Sequence, residues 1–312
     1  MSRENPPFPA LTRAQRLHFE IYGYVVIENM LDENDVARTH DALQNLKERF
    51  EATGDPYSAS YKGCGAGGTE YAWAGPRIHF NHMIEADPAF LDYATHPRIV
   101  GVVQEVVGCE VRLSESQAII NRRRPDVDPN NPPTCIFHHQ WPRRVAYTEH
   151  GLHHFAFVKT LTNLTDLGPG DGGTSVIAGS HKLRVSSEEM IAAAEDDPSL
   201  VHHIEAPAGS TLLFTETLFH ATGPVLSDRE RVVIISGYIP RNQSTHLVNV
   251  QPEFAAELPD DIRPLIMGSH HPGERYRELG EQVGSRTDNP FESGGYSRNP
   301  ADYFESELEN AK

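Results

Sequence analysis

Residues 207–240 read PAGSTLLFTETLFHATGPVLSDRERVVIISGYIP, two apolar runs flanking the turn-forming segment ATGPVLSDRE. Runs of this length, rich in β-branched and aromatic residues and bounded by Gly, Pro, Asp and Ser, read as strands. The same texture extends back to about Glu110, through EVRLSESQAIIN, PTCIFHHQW, FAFVKTLTNLTD, GTSVIAGSH and VHHIEA, with GPGDGG and APAGS as turns. Seven or more short strands at this spacing predict an antiparallel sandwich or jelly roll. Upstream the period changes. Thr12–Gly23 reads as a helix, YVVIENML as a strand, and a second helix capped by Asp32 or Asn34 runs to about Phe50. Pro88–Gly108 reads as one further helix, with Leu91, Ile99, Val102, Val103, Val106 and Val107 on its apolar side. Helices precede strands instead of alternating with them, which argues against a doubly wound parallel sheet. The fold class is mainly β with flanking helices.

The chain has 312 residues, 27 Lys+Arg, 44 Asp+Glu and a formal charge of −17 with its 17 histidines neutral. Its field would repel nucleic acid and anionic membranes, so neither is expected as a partner. Three scattered cysteines, Cys64, Cys109 and Cys135, support neither a disulfide framework nor a thiolate zinc site. No apolar run reaches the roughly 18–20 residues of a membrane span. Prolines and acids interrupt the first thirty residues where a signal peptide needs an apolar stretch, so a cytoplasmic protein with reduced thiols is expected. After Leu247 the chain turns polar and ends RTDNPFESGGYSRNPADYFESELENAK. This divides it into one domain over 1–250 and an extension over 251–312, laid on the domain, on an edge or on the second subunit of a homodimer.

Among the histidines, position selects three. His138 and His139 follow apolar Cys135, Ile136 and Phe137, and His220 closes the run STLLFTETLF just before a turn. Arg231 opens the next strand eleven residues later. A jelly roll can bring such strand ends together at its mouth. Two neutral imidazoles from different strands suit Fe(II) with open positions, and a nearby arginine offers a bidentate fork to a carboxylate co-substrate. The plainer alternative is that these are polar strand-end residues and a sheet-edge salt bridge.

The stretches LTDLGPGDGGTSVIAGSHK (164–182) and PAGSTLLFTETLFHATGPVLSDRERVVIISGY (207–238) resemble the phytanoyl-CoA dioxygenase family of non-haem Fe(II), 2-oxoglutarate-dependent oxygenases. GYVVIENMLDENDV (23–36) is similar to its N-terminal segment, so the resemblance runs from about residue 10 to 240. It implies a double-stranded β-helix core, a jelly roll of cupin-like type, with the N-terminal helices packed outside. It further implies His220 as a metal ligand and Arg231 as the grip on the far carboxylate of 2-oxoglutarate. Thr222 matches a small hydroxyl residue that touches the same carboxylate, and Gln117 sits where an early core strand approaches the co-substrate. The reaction implied consumes O2 and 2-oxoglutarate, releases succinate and CO2, and hydroxylates a small organic substrate.

One motif departs from the family. Its first metal element is His-x-Asp, two ligands on one face of a strand. This chain has His138-His139-Gln140-Trp141. His138 and Gln140 keep the spacing, and a glutamine carbonyl oxygen is a neutral donor, so the site would hold one negative charge fewer than usual. His139 is the other candidate for the histidine. Related enzymes lacking this acid act as halogenases, usually with Gly or Ala there. Alternatively Glu216 or Glu149 restores a carboxylate, or the scaffold binds a small molecule without catalysis. Arg122, Arg123 and Arg124, with Arg143 and Arg144, could receive an anionic substrate group. GDGG (170–173) reads as a turn of special backbone angles, Ser180 and His181 as loop-fixing residues, and His79 and His82 as structural or cavity-lining.

Overall fold

Thr12 opens helix α1 (Arg13–Tyr22) with a reciprocal capping box: its hydroxyl accepts from the Gln15 N–H at 3.2 Å, and the Gln15 side chain accepts from the Thr12 N–H at 2.9 Å. The helix ends at Gly23, φ 81°, where any side chain would collide with the His181 ring. The chain passes straight into β1 (Tyr24–Ile27) and then α2 (Glu33–Thr53). Of the two capping candidates, Asp32 takes the role, its Oδ1 accepting from the Asp35 N–H at 2.8 Å. The computed structural model describes residues 10–53, 77–131, 135–139, 146–149, 152–183, 185–243, 248 and 250–268.

The single helix expected over Pro88–Gly108 is two: α3 (Pro88–Ala94) and α4 (Pro97–Val107). Pro97 lacks an N–H and bars His96 from helical angles, leaving it at φ −60°, ψ 126°. Before them comes β2 (Arg77–Asn81) and after them β3 (Val111–Asn121). There follow a two-stranded ribbon, β4 (Ala146–Glu149) with β5 (Leu152–Phe155), then β6 (Val158–Asn163) and β7 (Thr174–Ile177). Helix α5 (Ser187–Asp196), capped by Ser186, was not anticipated. It leads to β8 (Val201–His203), β9 (Thr211–Thr215), β10 (His220–Thr222) and β11 (Arg231–Pro240).

All pairings among the described residues are antiparallel. A six-stranded major sheet runs β1-β9-β6-β11-β3-β2 and faces a three-stranded minor sheet, β10-β7-β8. This is the expected jelly roll with helices outside it. The segment PTCIFHHQW does not form the expected strand over its described part, 135–139. It meets its neighbour β10, only three residues long, at a single bridge between His138 and His220.

The major sheet has two apolar faces. One packs with the helices, around Phe19, Leu43, Phe90, Ile99, Leu113 and Ile234. Helices α6 (Pro252–Glu257) and α7 (Arg263–Met267) lie within the polar stretch after Leu247, yet Leu258, Ile262 and Ile266 join this core. The chain divides into Met1–Gly268 and Ser269–Lys312, and everything described belongs to the first unit. No helix among the described residues is long and apolar enough to cross a membrane.

The other face meets the minor sheet, with Ile119, Leu161, Phe214, Val233 and Ile235 packed around Val176. Register fixes four rows across it: Arg77–Asn121–Arg231, then His79–Ile119–Val233–Asn163, then Asn81–Gln117–Ile235–Leu161–Leu212, and last Glu115–Gly237–Lys159–Phe214–Tyr24. Polar side chains thus occupy both ends of a largely apolar interior.

Candidate functional site

The minor sheet brings two histidines together. His138 and His220 exchange both backbone hydrogen bonds, at 2.8 and 2.9 Å, and their ring centroids stand 4.3 Å apart. Strand alternation turns the flanking residues away. Phe137 stacks on Phe219 at 5.4 Å, and His139 meets the same ring edge-on at 5.4 Å. Of the two adjacent histidines, His138 therefore faces His220.

The His220 Nδ1–H donates to the Leu218 carbonyl at 2.8 Å, which leaves the Nε2 lone pair for a ligand. Nδ1 of His138 approaches its own i−2 carbonyl, Ile136, at 3.5 Å. Burial pushes the His220 pKa down to about 3, with the neighbouring His138 and Lys159 acting in the same sense and the Leu218 bond opposing. The imidazole is thus neutral near pH 7, the form that binds metals.

Beside it lies a buried carboxylate. Glu216 sits on the β9–β10 turn, its backbone N–H bonded to the Phe157 carbonyl at 3.1 Å and its side chain 2% exposed. Its Oε1 lies 4.0 Å from His220 Nε2 and 2.9 Å from Lys159 Nζ. Lys159 also reaches Glu115 Oε2 at 2.8 Å, across the intervening strand at Gly237. A Cβ at Gly237 would come within 2.8 Å of the Phe157 ring and 3.2 Å of Glu115 Cβ, so only glycine leaves room for that crossing. Burial alone would lower the Lys159 pKa, but the two carboxylates outweigh it and the net shift is upward. Burial raises that of Glu115, opposed by Lys159 and reinforced by Glu216.

The opposite end of the interior holds Arg231, 2% exposed. Its Nη2 donates to Thr174 Oγ1 at 3.3 Å, while its Nε and Nη1 have no hydrogen-bond partner among the described residues. Burial, then the charge of Arg77, lowers its pKa to about 10. Thr222 is the β10 partner of Thr174, which places it at this same end. Gln117 faces the interior from the third row and hydrogen-bonds to His79, whose pKa burial drives down to about 4.

Three of the expected site residues, His220, Arg231 and Thr222, thus frame one interior between the sheets, Gln117 lines it, and the exposed His138 stands at its edge against His220. Gln140, Arg143 and Arg144 lie outside the described residues, as does the side chain of Glu149 in β4. Among the described residues no three His, Cys, Asp or Glu side chains already stand as a metal cluster. The basic run is engaged elsewhere: Arg122 pairs with Glu230 at 2.5 Å, Arg123 with Asp228 and Arg124 with Asp126, so it forms no open anion receptor. Gly170 and Gly172 have φ of 78° and 79°, which makes GDGG a turn. Ser180 Oγ accepts from the Phe219 N–H at 2.8 Å, a loop-fixing contact next to His220.

Sequence reasoning missed Lys159, Glu115 and Thr174. A usable signal exists for the first two. VKTL and LSES carry charges at inward-facing positions of apolar strands, where an unpaired charge is costly and a partner is required.

The profile of the phytanoyl-CoA dioxygenase family matches residues 19–233. A protein of Mycobacterium tuberculosis known as uncharacterized protein Rv1501 is 26% identical over 219 residues, 68% of this chain and 69% of its own. Among solved structures, HygX from Streptomyces hygroscopicus with nickel and 2-oxoglutarate bound has a TM-score of 0.59 at 20% identity, covering 75% of this chain and 89% of its own. SnoK, a non-haem α-ketoglutarate-dependent carbocyclase from nogalamycin biosynthesis, has a TM-score of 0.54 at 16% identity, covering 83% and 94%. The latter two likenesses show a shared fold. With its profile match over more than half of its length, the chain belongs to the phytanoyl-CoA dioxygenase family.

Proposed function

We propose that this protein is an Fe(II)/2-oxoglutarate-dependent oxygenase that hydroxylates a small organic molecule. The observation that carries the reading is Arg231: a buried guanidinium whose Nε and Nη1 are left without partners, facing the same interior as a close pair of histidines. Unpaired buried donors are costly, and a carboxylate arriving from solution would satisfy them bidentately. 2-Oxoglutarate has such a carboxylate at one end and a metal-chelating keto acid at the other.

The residues fit both groups. His138 and His220 would hold the metal through their Nε2 atoms; Gln140, two residues after His138 in the sequence, lies outside the described residues. The Leu218 carbonyl fixes the His220 tautomer and aims its ring. Arg231 and Thr222 would grip the far carboxylate, and Gln117 would approach it from β3. Phe214, edge-on to His220 at 4.7 Å, and the apolar rows of Leu161, Val233 and Ile235 exclude water from the interior. When bound, Fe(II), 2-oxoglutarate and O2 supply the oxidation, with succinate and CO2 as co-products. A reducing cytoplasm suits Fe(II) and the free thiols of Cys109 and Cys135.

Structural neighbours support a natural-product-sized substrate: HygX has been solved with hygromycin B, and SnoK and the epimerase SnoN belong to nogalamycin biosynthesis. Anaerobic titration of the apo-protein with Fe(II) and 2-oxoglutarate tests the reading. A saturable visible charge-transfer band, lost in His220→Ala, is expected. Absence of any band, and no consumption of 2-oxoglutarate or O2 once the mixture is exposed to air, would overturn it in favour of a small-molecule binding protein. Succinate release without chloride would separate a hydroxylase from a halogenase.

A further inference from the structure

We infer that Glu216 supplies the carboxylate of the metal site, in the role that Gln140 leaves unfilled in the His138–Gln140 motif. The inference rests on the oxygenase reading above and gives that site a ligand set of its own. Three observations meet at this residue.

The first is reach. Metal–nitrogen and metal–oxygen bonds of about 2.0–2.2 Å require two ligand atoms of one ion to lie no more than about 4.3 Å apart. Glu216 Oε1 and His220 Nε2 are 4.0 Å apart, within that limit. Second, the residue is held in place. Its N–H is bonded to the Phe157 carbonyl, Leu218 N–H closes the same turn onto the Thr215 carbonyl at 2.9 Å, and Lys159 draws Oε1 toward the interior. Third, charge is unbalanced there. Two largely buried carboxylates, Glu115 and Glu216, share one ammonium. Burying a carboxylate without a full counterion is expensive, and a divalent cation at His220 would remove that cost.

A histidine from the 135–139 segment, a histidine from β10 and a carboxylate four residues before it then make a two-histidine, one-carboxylate set. Its acid comes from the β9–β10 turn instead of from the segment that carries His138. Lys159 becomes a positioning residue that orients this acid.

Metal affinity of the full chain is the measurement, read by Co(II) absorption and by Fe(II) competition with a chromogenic chelator, so no turnover is needed. Glu216→Gln is expected to weaken binding at least about 10-fold, whereas Glu110→Gln, which removes an equal charge from the exposed pair with Arg241, should not change it. Gln140→Asp in the Glu216→Gln background is expected to restore the loss. Gln140→Asp in the otherwise native protein reads the same question without depending on how Glu216→Gln folds. With restoration seen in the double variant, a gain below about 10-fold in the single one means that a carboxylate is already present, and a larger gain overturns the inference. Wild-type affinity in Glu216→Gln, with metal still bound, would also overturn it while leaving the oxygenase reading standing. No metal binding by the native protein would remove both.

Discussion

Arg231 and Lys159 point from neighbouring strands of the major sheet into one interior, yet the fold surrounds them differently. Lys159 has its counterions in the chain: Glu115 at 2.8 Å and Glu216 at 2.9 Å, with the Phe157 ring 5.6 Å beneath the ammonium. Arg231 has one hydroxyl, Thr174, and the charge that shifts it is the like charge of Arg77. The lysine is therefore a cation countered by the fold and the arginine a receptor. Burial of charge does not by itself mark a binding site. Burial of charge for which the fold provides no partner does, because that cost is borne only where a ligand recovers it.

Lys159→Met is the sharpest way to break this comparison. Losing the shared ammonium strands two carboxylates, and a loss of about 3 kcal/mol in apo-protein stability is expected by urea denaturation, toward the lower end for a broken buried pair. Arg231→Leu removes a cation of the same sign from the same sheet, but no ion pair is broken. Its apo stability should shift by less than about 1 kcal/mol, while 2-oxoglutarate affinity falls about 100-fold, the scale of a charged, hydrogen-bonded contact. Equal destabilisation by the two substitutions would mean that Arg231 is structural too.

The difference also explains what could be read from the chain. Strands β3, β6, β9 and β11 are legible because each is a continuous β-branched or aromatic run between turn residues, and His220 and Arg231 are legible because they end or begin such runs. Lys159 and Glu115 are not, since their role depends on register: Gly237 must stand between them, and pairing across β11 is a tertiary fact. The break at His96 was visible as a proline but was outweighed by the apolar spacing on both sides. Helices α6 and α7 were hidden for the opposite reason. Their six and five residues are too short for a helical period to emerge, and three buried apolar side chains hold them down. His138 and His139 could not be ranked from sequence, because the choice follows from which ring Phe219 occupies.

A smaller effect tests the wall between the two cations. His79 ionises near 6.5 when unfolded and near 4 in the folded protein, chiefly through burial. Its folded pKa is the lower one, so only the unfolded chain takes up a proton between those values. The stability this confers is complete above pH 6.5 and is lost as the pH falls toward about 4. For a partly exposed ring the loss should be about 2 kcal/mol, seen as a falling urea midpoint. His220, depressed to about 3, adds a slope of the same sign, so His79→Gln should flatten the profile without abolishing it. An unchanged slope would place the acid sensitivity outside His79.

The weakest expected effect belongs to a third cation. Arg124 pairs with Asp126, and both side chains are more than half exposed, at 60% and 64%. Solvent already satisfies each partner and salt screens the pair, so removing the arginine strands nothing. Arg124→Ala should therefore leave the urea midpoint and 2-oxoglutarate affinity unchanged, at low and at high salt alike. Together the three substitutions separate a cation countered by the fold, one countered by a ligand and one countered by water. A drop in co-substrate affinity on losing Arg124 would show that the exposed arginine run steers anions toward the interior, and that the sorting by burial misses a long-range contribution.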